Sequence, residues 1–325
     1  MLLPLPLLQI LADGHFHSGE ALGARLGVTR AAIWKQLRRL ETMGLAVHAV
    51  RGRGYRLAQP IEFLQPELIR ENISPVARER LTRIDVIPEI DSTNTHLKTL
   101  AVQGAASGSV CLAEWQRGGR GRLGRQWVSP FGCNLYLSLL WRFAAGPAAL
   151  SGLSLAMGVA LARALGTAAD TGLGLKWPND LQWRGRKLAG ILVEIAGESG
   201  GPGHAVIGIG INVRMPEPAA AAIQQPWIDL ARIARHAPSR NALAGRVLEE
   251  LVIALASFEQ HGLAAFLEEW RALDVTAGRV VQLQLPNGSI DGESHGIDET
   301  GALVLQVGGE LRRYASGEIS LRMNP

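Results

Sequence analysis

Four arginines alternate with four glycines in residues 116–127, and these residue types at this spacing suit the binding of an anion. Glycine permits backbone conformations with positive φ and lets the main chain approach a ligand closely. Arginine offers a planar fork of donors that matches carboxylate and phosphate groups. Basic runs are often solvated surfaces, but residues 116–169 contain no Asp or Glu at all. So long a span without acids favours an anion-binding loop.

Two standard phosphate-binding motifs do not explain this loop. Residues 119–124 match G-x-G-x-x-G, but the dinucleotide-binding version needs a helix directly after it and an acid about 20 residues later. Here Pro130 and Gly132 interrupt the next segment, and no acid lies in range. The sequence also contains no G-x-x-x-x-G-K-[ST] motif, which excludes a P-loop. The loop must therefore hold its anion in another way.

The composition predicts two or three domains with a substantial hydrophobic core, since 47% of the 325 residues are hydrophobic. The two cysteines, Cys111 and Cys133, lack the spacing of a metal site and indicate free thiols in a reducing compartment. The eight histidines form no zinc motif. We therefore expect no metal site built from protein ligands alone.

Two apolar stretches raise the question of a membrane, and neither predicts one. Residues 1–8 lack the basic region and the small-residue cleavage site of a signal peptide. Residues 148–169 are long and apolar enough for a transmembrane helix, but they contain Arg163, many small residues and no flanking anchors. A buried helix in a cytoplasmic protein with no membrane partner is the better interpretation.

The first 58 residues hold most of the basic character, with eight Lys and Arg against three Asp and Glu. Helices are predicted over 5–12, from an N-cap at Ser18 to about Leu26, and from an N-cap at Thr29 to about Thr42. Two short strands within 46–57 then form a basic wing, which completes a winged helix-turn-helix pattern. The alternative is a solvated adaptor domain, but cationic faces exchange counterions with phosphate, which favours DNA. The candidate DNA-binding residues are Ser18, Arg30, Trp34, Lys35, Arg38, Arg51 and Arg53.

The rest of the chain predicts an α+β domain in which strands dominate, followed by a small all-β unit. Strands are expected over 83–90, 110–115, 135–141, 188–195 and 205–213. Helices are expected over 64–73, from the turn 91–94 to about Val102, and over 147–168, 241–261 and 264–272. A period-two pattern from residue 281 and the Asn287-Gly288 turn then predict a small β-barrel.

Six short motifs follow one another in an order that resembles the biotin–protein ligases. They are Glu89-Ile-Asp-Ser-Thr-Asn94, Gly119-Arg-Gly-Arg122, Ser129-Pro-Phe-Gly132, Lys176-Trp-Pro-Asn-Asp180, Lys187-Leu-Ala-Gly190 and Gly208-Ile-Gly-Ile-Asn212. With the winged helix in front, the chain resembles the bifunctional form that also represses the biotin operon. The resemblance covers nearly the whole chain, and the combined set is highly specific although each motif alone is weak.

The resemblance implies a fold, an activity and partners. The fold is α+β: a winged helix-turn-helix over 1–62, a class II synthetase-like mixed sheet with helices over 63–275, and an SH3-like β-barrel over 276–325. The activity is the formation of biotinyl-5′-adenylate from biotin and ATP with Mg²⁺, then transfer of biotin to a lysine of the biotin carboxyl carrier protein of acetyl-CoA carboxylase. As a biotin-dependent repressor, the adenylate-bound protein is expected to form a homodimer on operator DNA.

The resemblance also assigns roles to individual residues. Lys187 is expected at the biotin carboxylate and the α-phosphate, and Lys187 and Arg122 are the candidate catalytic residues. The biotin-binding candidates are Ser92, Thr93, Asn94, Gln116, Arg120, Gly121, Arg122, Lys187 and Gly190. The candidates for binding ATP and the adenylate are Arg122, Arg125, Lys176, Asp180, Asn212, Trp227 and Arg322, with Mg²⁺ near Asp180.

Several of these assignments have an alternative. Asp180 is nearly as well explained as an ordinary turn carboxylate, Trp227 as a core residue, and Ser92 as a helix cap. The chain departs from the bifunctional form at Leu123, where a further arginine is expected, so one phosphate or dimer contact is lost. Two other functions stay open: a DNA-binding biotin sensor without ligase activity, and a lipoate or octanoate ligase on the same kind of fold.

Overall fold

Three helices and a two-stranded wing form the N-terminal domain, as the sequence predicts. The computed structural model describes residues 3–166, 172–198, 201–234, 236, 238–286, 288–315 and 320–323, and only the backbone of 320, 322 and 323. The N-terminal elements are α1 (Leu5–Leu11), α2 (Gly19–Leu26), α3 (Arg30–Thr42), β1 (Val47–Val50) and β2 (Gly54–Leu57). The hydroxyls of Ser18 and Thr29 accept hydrogen bonds from the amides of Ala21 (3.0 Å) and Ala32 (3.2 Å). Both predicted N-caps therefore begin their helices.

A seven-stranded mixed sheet forms the centre of the molecule. Its strands are β3 (Arg83–Ile87), β4 (Ser109–Ala113), β5 (Leu135–Phe143), β6 (Leu173–Lys176), β7 (Asp180–Trp183), β8 (Arg186–Gly197) and β9 (Gly203–Ile211). They lie in the order β3-β4-β5-β9-β8-β7-β6. Among these described strands β3 and β4 run parallel, and every other neighbouring pair is antiparallel. The predicted α+β fold with a mixed sheet is confirmed.

Helices cover both faces of this sheet. They are α4 (Pro66–Glu71), α5 (Pro75–Glu79), α6 (Thr93–Val102), α7 (Leu153–Leu165), α8 (Glu217–Ala220), α9 (Leu230–Ala234), α10 (Arg240–His261) and α11 (Leu267–Leu273). Helix α6 packs Leu97 against Cys111 and Leu140 on one face. Helices α7 and α10 pack against each other, and both contribute to the larger core with β5 and β8. Burial of the sheet on both faces explains why β4 and β5 read as nearly continuous apolar runs.

The long apolar stretch after residue 147 is a core helix, although the predicted extent of 147–168 is wrong. The segment 147–165 is long and apolar enough to cross a membrane, but most of α7 is buried inside the protein. Pro147–Leu150 forms only a 3-10 turn, and Gly152 with φ of 80° precedes the α-helix. A Cβ at Gly152 would lie 2.6 Å from the Leu263 side chain, so glycine permits this break. The predicted helix end lies outside the described residues.

The structure also differs from the prediction in one further helix and in the strands at one edge of the central sheet. The predicted helix 64–73 is shorter, and α5 follows it, because Ser74 caps a new helix that Pro75 begins. Strands β6 and β7 have no counterpart among the predicted strands. Each has four residues, which are too few for a periodic pattern, and the two strands pair with each other.

The described C-terminal residues form a five-stranded antiparallel sheet beside the central domain. Its strands are β10 (Val280–Leu285), β11 (Gly288–Ile297), β12 (Leu303–Val307), β13 (Glu310–Tyr314) and β14 (Ser320–Met323), in the order β13-β12-β11-β10-β14. Leu285 pairs with Gly288 in the predicted hairpin, and Asn287 lies outside the described residues. The Trp177 indole donates a hydrogen bond to the Gly301 carbonyl (3.1 Å), and the two domains share one core. The small SH3-like domain is confirmed.

The N-terminal domain contacts the chain on both sides of the arginine–glycine loop. Phe131, just beyond the loop, is fully buried in the core of the N-terminal domain, and its amide donates to the Met43 carbonyl (3.2 Å). At the start of the loop, Glu89 lies between Arg39 of α3 (3.8 Å) and Arg117 (3.6 Å). The DNA-binding fold is thus packed directly against the segment that we expect to bind ligand.

Candidate active site

Glycines on two neighbouring strands form the floor of a large cleft in the central sheet. Gly190 of β8 pairs with Gly210 of β9, and Gly208 lies on the same strand opposite Leu192. A Cβ at Gly208 would lie 2.2 Å from Asn94 Oδ1, and a Cβ at Gly210 would lie 2.5 Å from the Trp127 ring. Only glycine therefore fits beneath these side chains. The cleft has a volume of about 870 Å³, which is typical of a ligand site.

Gln116 organises one wall of the cleft. Its Oε1 accepts hydrogen bonds from the amide (2.9 Å) and the hydroxyl (3.1 Å) of Thr93. Its Nε2 donates to Ser129 Oγ (3.2 Å), and the Ser129 hydroxyl donates to the Trp127 carbonyl (3.0 Å). These groups are buried, and their mutual hydrogen bonds fix the side chains of Thr93 and Gln116 in the wall of the cleft.

Asn94 continues this wall and is held from both ends of its amide. The Ser138 hydroxyl donates to Asn94 Oδ1 (2.6 Å), while Asn94 Nδ2 donates to Glu194 Oε2 (3.0 Å). Glu194 is in turn paired with Lys98 (2.7 Å). The amide is therefore fixed in one orientation, with its oxygen toward the floor glycine Gly208.

The arginine–glycine loop folds back on itself as a short hairpin at the mouth of the cleft. The Gly121 amide donates to the Arg125 carbonyl (2.7 Å), and the Trp127 amide donates to the Gly119 carbonyl (2.9 Å). A Cβ at Gly119 would lie 2.5 Å from the Trp127 carbonyl oxygen, so the close return needs glycine. Leu123 at the tip has φ of 56°, a left-handed conformation that is strained for a residue with a side chain.

Lys187 lies in the cleft and is paired with an acid. Its Nζ is 2.7 Å from Asp180 Oδ1, and only 16% and 13% of the two side chains are exposed. The ammonium also lies over the Trp127 ring, 5.5 Å from the centroid. The Lys187 amide donates to the Pro226 carbonyl (2.9 Å), and the Ile228 amide donates to the Lys187 carbonyl (3.0 Å). A buried ammonium held by one carboxylate can exchange that partner for the oxyanion of a ligand.

Arg122 adds further positive charge to the same end of the cleft. Burial lowers the pKa of its guanidinium, the Asp180 carboxylate raises it, and the charge of Arg125 lowers it again. Arginine stays protonated at any physiological pH, so the lowered pKa reflects mainly the burial of this guanidinium. Lys176 lines the cleft as well. This concentration of cations suits phosphate and carboxylate ligands.

Trp227 forms the rim of the cleft rather than part of the core, which excludes the alternative expected for it. It is half-buried, and its backbone bridges to Lys187. The Arg232 guanidinium lies over its ring, 4.3 Å from the centroid. Close by, Asn212 Nδ2 donates to the Ile228 carbonyl (3.1 Å), which ties the rim segment to the end of β9.

The fold brings nearly all of the predicted ligand-binding residues into this one cleft. All nine biotin candidates line it, and so do the ATP candidates other than Arg322, whose side chain lies outside the described part of the chain. Ser92 caps α6 by accepting a hydrogen bond from the Thr95 amide (3.4 Å), and it also lines the cleft. A position as helix cap is therefore compatible with a position in the cleft wall. In the described residues no three His, Cys, Asp or Glu side chains converge as a metal site.

Three residues of the polar wall are absent from the predicted set: Ser129, Ser138 and Glu194. Ser138 interrupts an otherwise apolar strand, which is a signal that could have identified it. Ser129 lies within a motif that the sequence analysis singled out. Glu194 has no local signal, because its contact with Asn94 joins positions 100 residues apart.

The residues predicted to contact DNA are all exposed. On α3, Trp34 is 56% exposed, and the Arg38 guanidinium lies over its ring at 5.2 Å. At the wing, Arg53 and Arg56 both lie over the Phe16 ring, at 4.4 and 5.0 Å. Phe16 and Arg56 are not among the predicted residues, since their stacking joins the loop before α2 to the wing. Ser18 uses its hydroxyl to cap α2.

Comparison with known proteins matches three family models in the order of the three predicted domains. Residues 5–56 match an HTH domain, residues 86–212 the biotin/lipoate A/B protein ligase family, and residues 276–322 the biotin protein ligase C terminal domain. The bifunctional ligase/repressor BirA of Salmonella typhimurium is 45% identical over 319 residues, covering 98% of this chain and 97% of that protein. This chain belongs to the bifunctional ligase/repressor BirA family.

Other relatives match about three quarters of this chain and are named as ligases. The biotin--[acetyl-CoA-carboxylase] ligase of Mycobacterium tuberculosis is 36% identical, covering 73% of this chain and 88% of that protein. Among solved structures, the biotin protein ligase from Aquifex aeolicus in complex with biotin and ATP aligns with a TM-score of 0.63 at 28% identity. That alignment covers 75% of this chain and all of the other. The resemblance drawn from six motifs is confirmed.

Proposed function

We propose that this protein is a biotin–protein ligase that also represses transcription. It forms biotinyl-5′-adenylate from biotin and ATP, and transfers biotin to a lysine of the biotin carboxyl carrier protein of acetyl-CoA carboxylase. One observation carries the proposal: a single cleft joins a wall of fixed amides and hydroxyls to a cationic end that contains Lys187. Membership in the BirA family, whose relatives are named as both ligases and repressors, supports both activities.

The cationic end of the cleft overcomes the repulsion between two anionic substrates. A biotin carboxylate oxygen attacks the α-phosphorus of ATP, the bond to the β-phosphate oxygen breaks, and pyrophosphate leaves. Lys187 exchanges Asp180 for the carboxylate and α-phosphate oxygens and so places positive charge where negative charge develops. Arg122, Arg125 and Lys176 neutralise the remaining phosphate charge. In the second step the acceptor amine attacks the acyl carbon and AMP leaves.

The nucleotide end of the cleft has suitable groups for the rest of ATP. Trp227, half-buried at the rim, offers an aromatic face for adenine. Asn212 holds the segment that carries Trp227. Mg²⁺ enters with ATP, and the Asp180 carboxylate, once released from Lys187, is the kind of hard oxygen ligand that Mg²⁺ prefers. Arg322 is assigned to ATP by resemblance to the family alone.

The polar wall fits the ureido ring of biotin better than the chain of lipoate or octanoate. A ureido group presents two donors and an acceptor, which match the amides and hydroxyls of Thr93, Asn94 and Gln116, with Ser92 beside them. The floor of glycines, which includes Gly190, leaves depth for the fused rings. A lipoyl or octanoyl chain has no ureido group to exchange hydrogen bonds with these polar side chains, so it would gain less from this wall than biotin does. Biotin is therefore the favoured substrate.

The arginine–glycine loop is proposed to close over biotin and the adenylate. Arg120, Gly121 and Arg122 line the cleft at its mouth. A closed loop would exclude water from the mixed anhydride until the acceptor lysine arrives. Leu123 at the loop tip, where the bifunctional form is expected to carry arginine, weakens one phosphate or dimer contact without changing Arg120 or Arg122.

Repression is proposed to depend on a ligand-gated homodimer. If the adenylate binds the dimer-competent state better than the other state, it shifts the population toward dimers. Two winged helices then meet a two-part operator, with Arg30 and Lys35 on α3 and Arg51 and Arg53 on the wing. A biotin sensor without ligase activity would have no need of the Lys187–Asp180 pair. The use of ATP and operator DNA places the protein in the cytoplasm.

An assay with radiolabelled biotin, MgATP and a carrier domain tests the ligase activity. We expect label on the carrier and release of pyrophosphate. Lys187→Ala should reduce adenylate formation roughly 10²- to 10³-fold, the effect of losing one group that stabilises developing charge. Circular dichroism should show an intact fold. Pyrophosphate release near the wild-type rate in this variant would refute the role of Lys187.

Lys35→Ala is the matched control, because it removes a lysine from the exposed face of α3. It should keep the ligase rate and weaken operator binding equally for specific and non-specific DNA if Lys35 contacts phosphate. Competition with unlabelled vitamins separates the alternative substrates. Lipoate that competes as strongly as biotin would favour the lipoate or octanoate ligase.

A further inference from the structure

A second cavity, of about 590 Å³, lies between the winged-helix domain and the central domain. Leu45 and Leu57 contribute from the N-terminal domain, the linker 58–62 forms one side, and residues 213–218 with Cys133 contribute from the central domain. Its walls are mostly apolar, and its volume is typical of a small-molecule site. Of the residues that line it, only Met215 also lines the catalytic cleft. This cavity is therefore separate from the proposed active site.

Arg214 brings an uncompensated charge to this cavity. Its side chain is partly buried and lines the cavity. Within the described chain its guanidinium has no ion-pair or hydrogen-bond partner, although its backbone amide donates to Asn134 Oδ1 (3.2 Å). A partly exposed guanidinium without a partner can donate hydrogen bonds to an anion that enters the cavity.

A second guanidinium lies close to the first. Arg240 is 4% exposed and pairs with Glu114 through Nη1 (2.8 Å), but its Nη2 is buried without a hydrogen-bond partner among the described residues. Burial raises the pKa of the Cys133 thiol to about 12, while the charges of Arg240 and Arg214 act to lower it. Cys133, Arg214 and Arg240 all line the cavity.

The two acids that line the same cavity already have partners within the protein. Glu62 accepts hydrogen bonds from the Ser239 hydroxyl (2.6 Å), the Arg240 amide (2.6 Å) and Asn241 Nδ2 (2.9 Å). Glu217 is paired with Arg232. Among the charged side chains that line the cavity, Arg214 is the one for which the described residues supply no partner, and it lies beside apolar walls.

We propose that this interdomain cavity binds a small amphipathic anion, with an apolar body between the two domains and a carboxylate on Arg214. A guanidinium fork can donate two parallel hydrogen bonds to one carboxylate. The apolar body removes the leucine, proline and methionine surfaces of the cavity from water. Because the ligand contacts both domains, it binds the docked arrangement better than any arrangement in which they separate. The anion is thus an effector of the position of the DNA-binding domain.

Octanoate is the probe for this site, with 1-octanol and octylamine as neutral and cationic probes of the same chain length. Binding is measured by titration calorimetry on the full-length protein saturated with biotin, so that the catalytic cleft is occupied. We expect octanoate to bind one site per chain, octanol to bind at least about tenfold more weakly, and octylamine not to bind. Equal affinities for octanoate and octanol, or no saturable binding of octanoate, would overturn the proposal.

Variants separate the charge from the shape of the cavity. Arg214→Gln should weaken octanoate at least about tenfold, and Ala58→Phe should block the cavity while leaving Arg214 in place. Arg246→Gln is the control, since it removes an exposed arginine of α10 with the same change of net charge. If Arg214→Gln binds octanoate with wild-type affinity, or Ala58→Phe still binds it, the assignment is wrong.

Cys133 reports where the probe binds. The chain has two cysteines, and Cys111 is completely buried. Iodoacetamide reacts with the thiolate form, so at about pH 9 the raised pKa of Cys133 makes its alkylation slow, and the rate is followed over hours by mass spectrometry of its peptide. Octanoate should slow this reaction at least about tenfold by covering the thiol. An unchanged rate would show that octanoate binds elsewhere and would refute the site.

Discussion

The catalytic cleft and the interdomain cavity share one short stretch of chain, residues 127–133, but they differ in whether their basic side chain is paired with an acid. Trp127 lines the cleft, whereas Cys133 lines the cavity. The cleft has polar walls and a lysine already paired with Asp180. The cavity has apolar walls and an arginine, Arg214, with no partner among the described residues.

This difference shows two ways of keeping a cation ready for an anionic ligand. In the cleft, Lys187 is already paired with Asp180, and in the proposed mechanism the ligand takes the place of that carboxylate. In the cavity, Arg214 is partly exposed and has no partner among the described residues, so an arriving anion would be the first group to pair with it. Phe131 lies between the two sites and is fixed in the core of the N-terminal domain. Substitutions that disturb residues 127–133 should therefore alter ligand binding in the cleft, in the cavity or in both.

The largest effect is expected at the buried ion pair beside the cavity. Glu114→Ala would leave Arg240 buried without an acid and would remove the acceptor of the Leu64 amide (2.6 Å). Loss of one partner of a buried pair destabilises a fold by about 3–5 kcal/mol. Denaturant unfolding measures this loss. Glu41→Ala breaks the exposed pair with Arg38 and should cost about 1 kcal/mol or less; equal losses would show that burial does not matter here.

A smaller effect is expected at Phe131, and it should reach both sites. Phe131→Leu loosens the contact that holds the end of the ligand loop, at a cost of about 1–2 kcal/mol of stability. We expect the KM for biotin to rise several-fold with little change in kcat, because the loop becomes less ordered. Phe143→Leu is a control at a buried position away from the loop. The link between domains is refuted if both variants raise the KM equally.

Arg122→Gly should change the cleft and leave the cavity unchanged. The adenylate should still form but escape from the open loop, so that labelling of bystander lysines rises about tenfold, which corresponds to ~1.4 kcal/mol of lost protection. Mass spectrometry of a bystander protein measures it. Arg51→Gly, in the exposed glycine-rich turn of the wing, should affect operator binding only. Unchanged preference for the carrier lysine in Arg122→Gly would contradict the role of the loop.

The smallest effect concerns pH and Glu62. Burial raises the pKa of this carboxyl, but hydrogen bonds from Ser239, Asn241 and the Arg240 amide lower it by more. A lowered pKa contributes stability above the unfolded value of about 4.3, and that stability is lost as pH falls through the folded pKa. The wild type should therefore be slightly more stable than Glu62→Gln at pH 7, with the difference shrinking below about pH 4. A stability difference between the wild type and Glu62→Gln that grows on acidification would contradict this prediction.

Local signals in the sequence predicted most of the fold. The caps at Ser18 and Thr29 and the turn glycines depend on neighbours within a few residues, and the structure confirms them. The helix 147–168 was wrong because its break at Gly152 depends on packing against Leu263, far along the chain. The boundaries of 1–62, 63–275 and 276–325 stay predictions.

The candidate site was predictable wherever a motif marks it. Gln116, Lys187 and most other predicted residues line one cleft because their motifs lie at strand ends that meet in the sheet. Ser138 and Glu194 were missed because their importance comes from contacts with Asn94 across other strands.

Sequence alone established the residue types, the motif order, the helix caps and the concentration of arginine and glycine in one loop, since all of these depend on short separations along the chain. The folded chain was needed to show that Lys187 meets Asp180, that Phe131 enters the core of another domain, and that Arg214 borders an apolar cavity. Such contacts depend on strand alignment and domain packing, and no local pattern encodes which distant side chains these bring together.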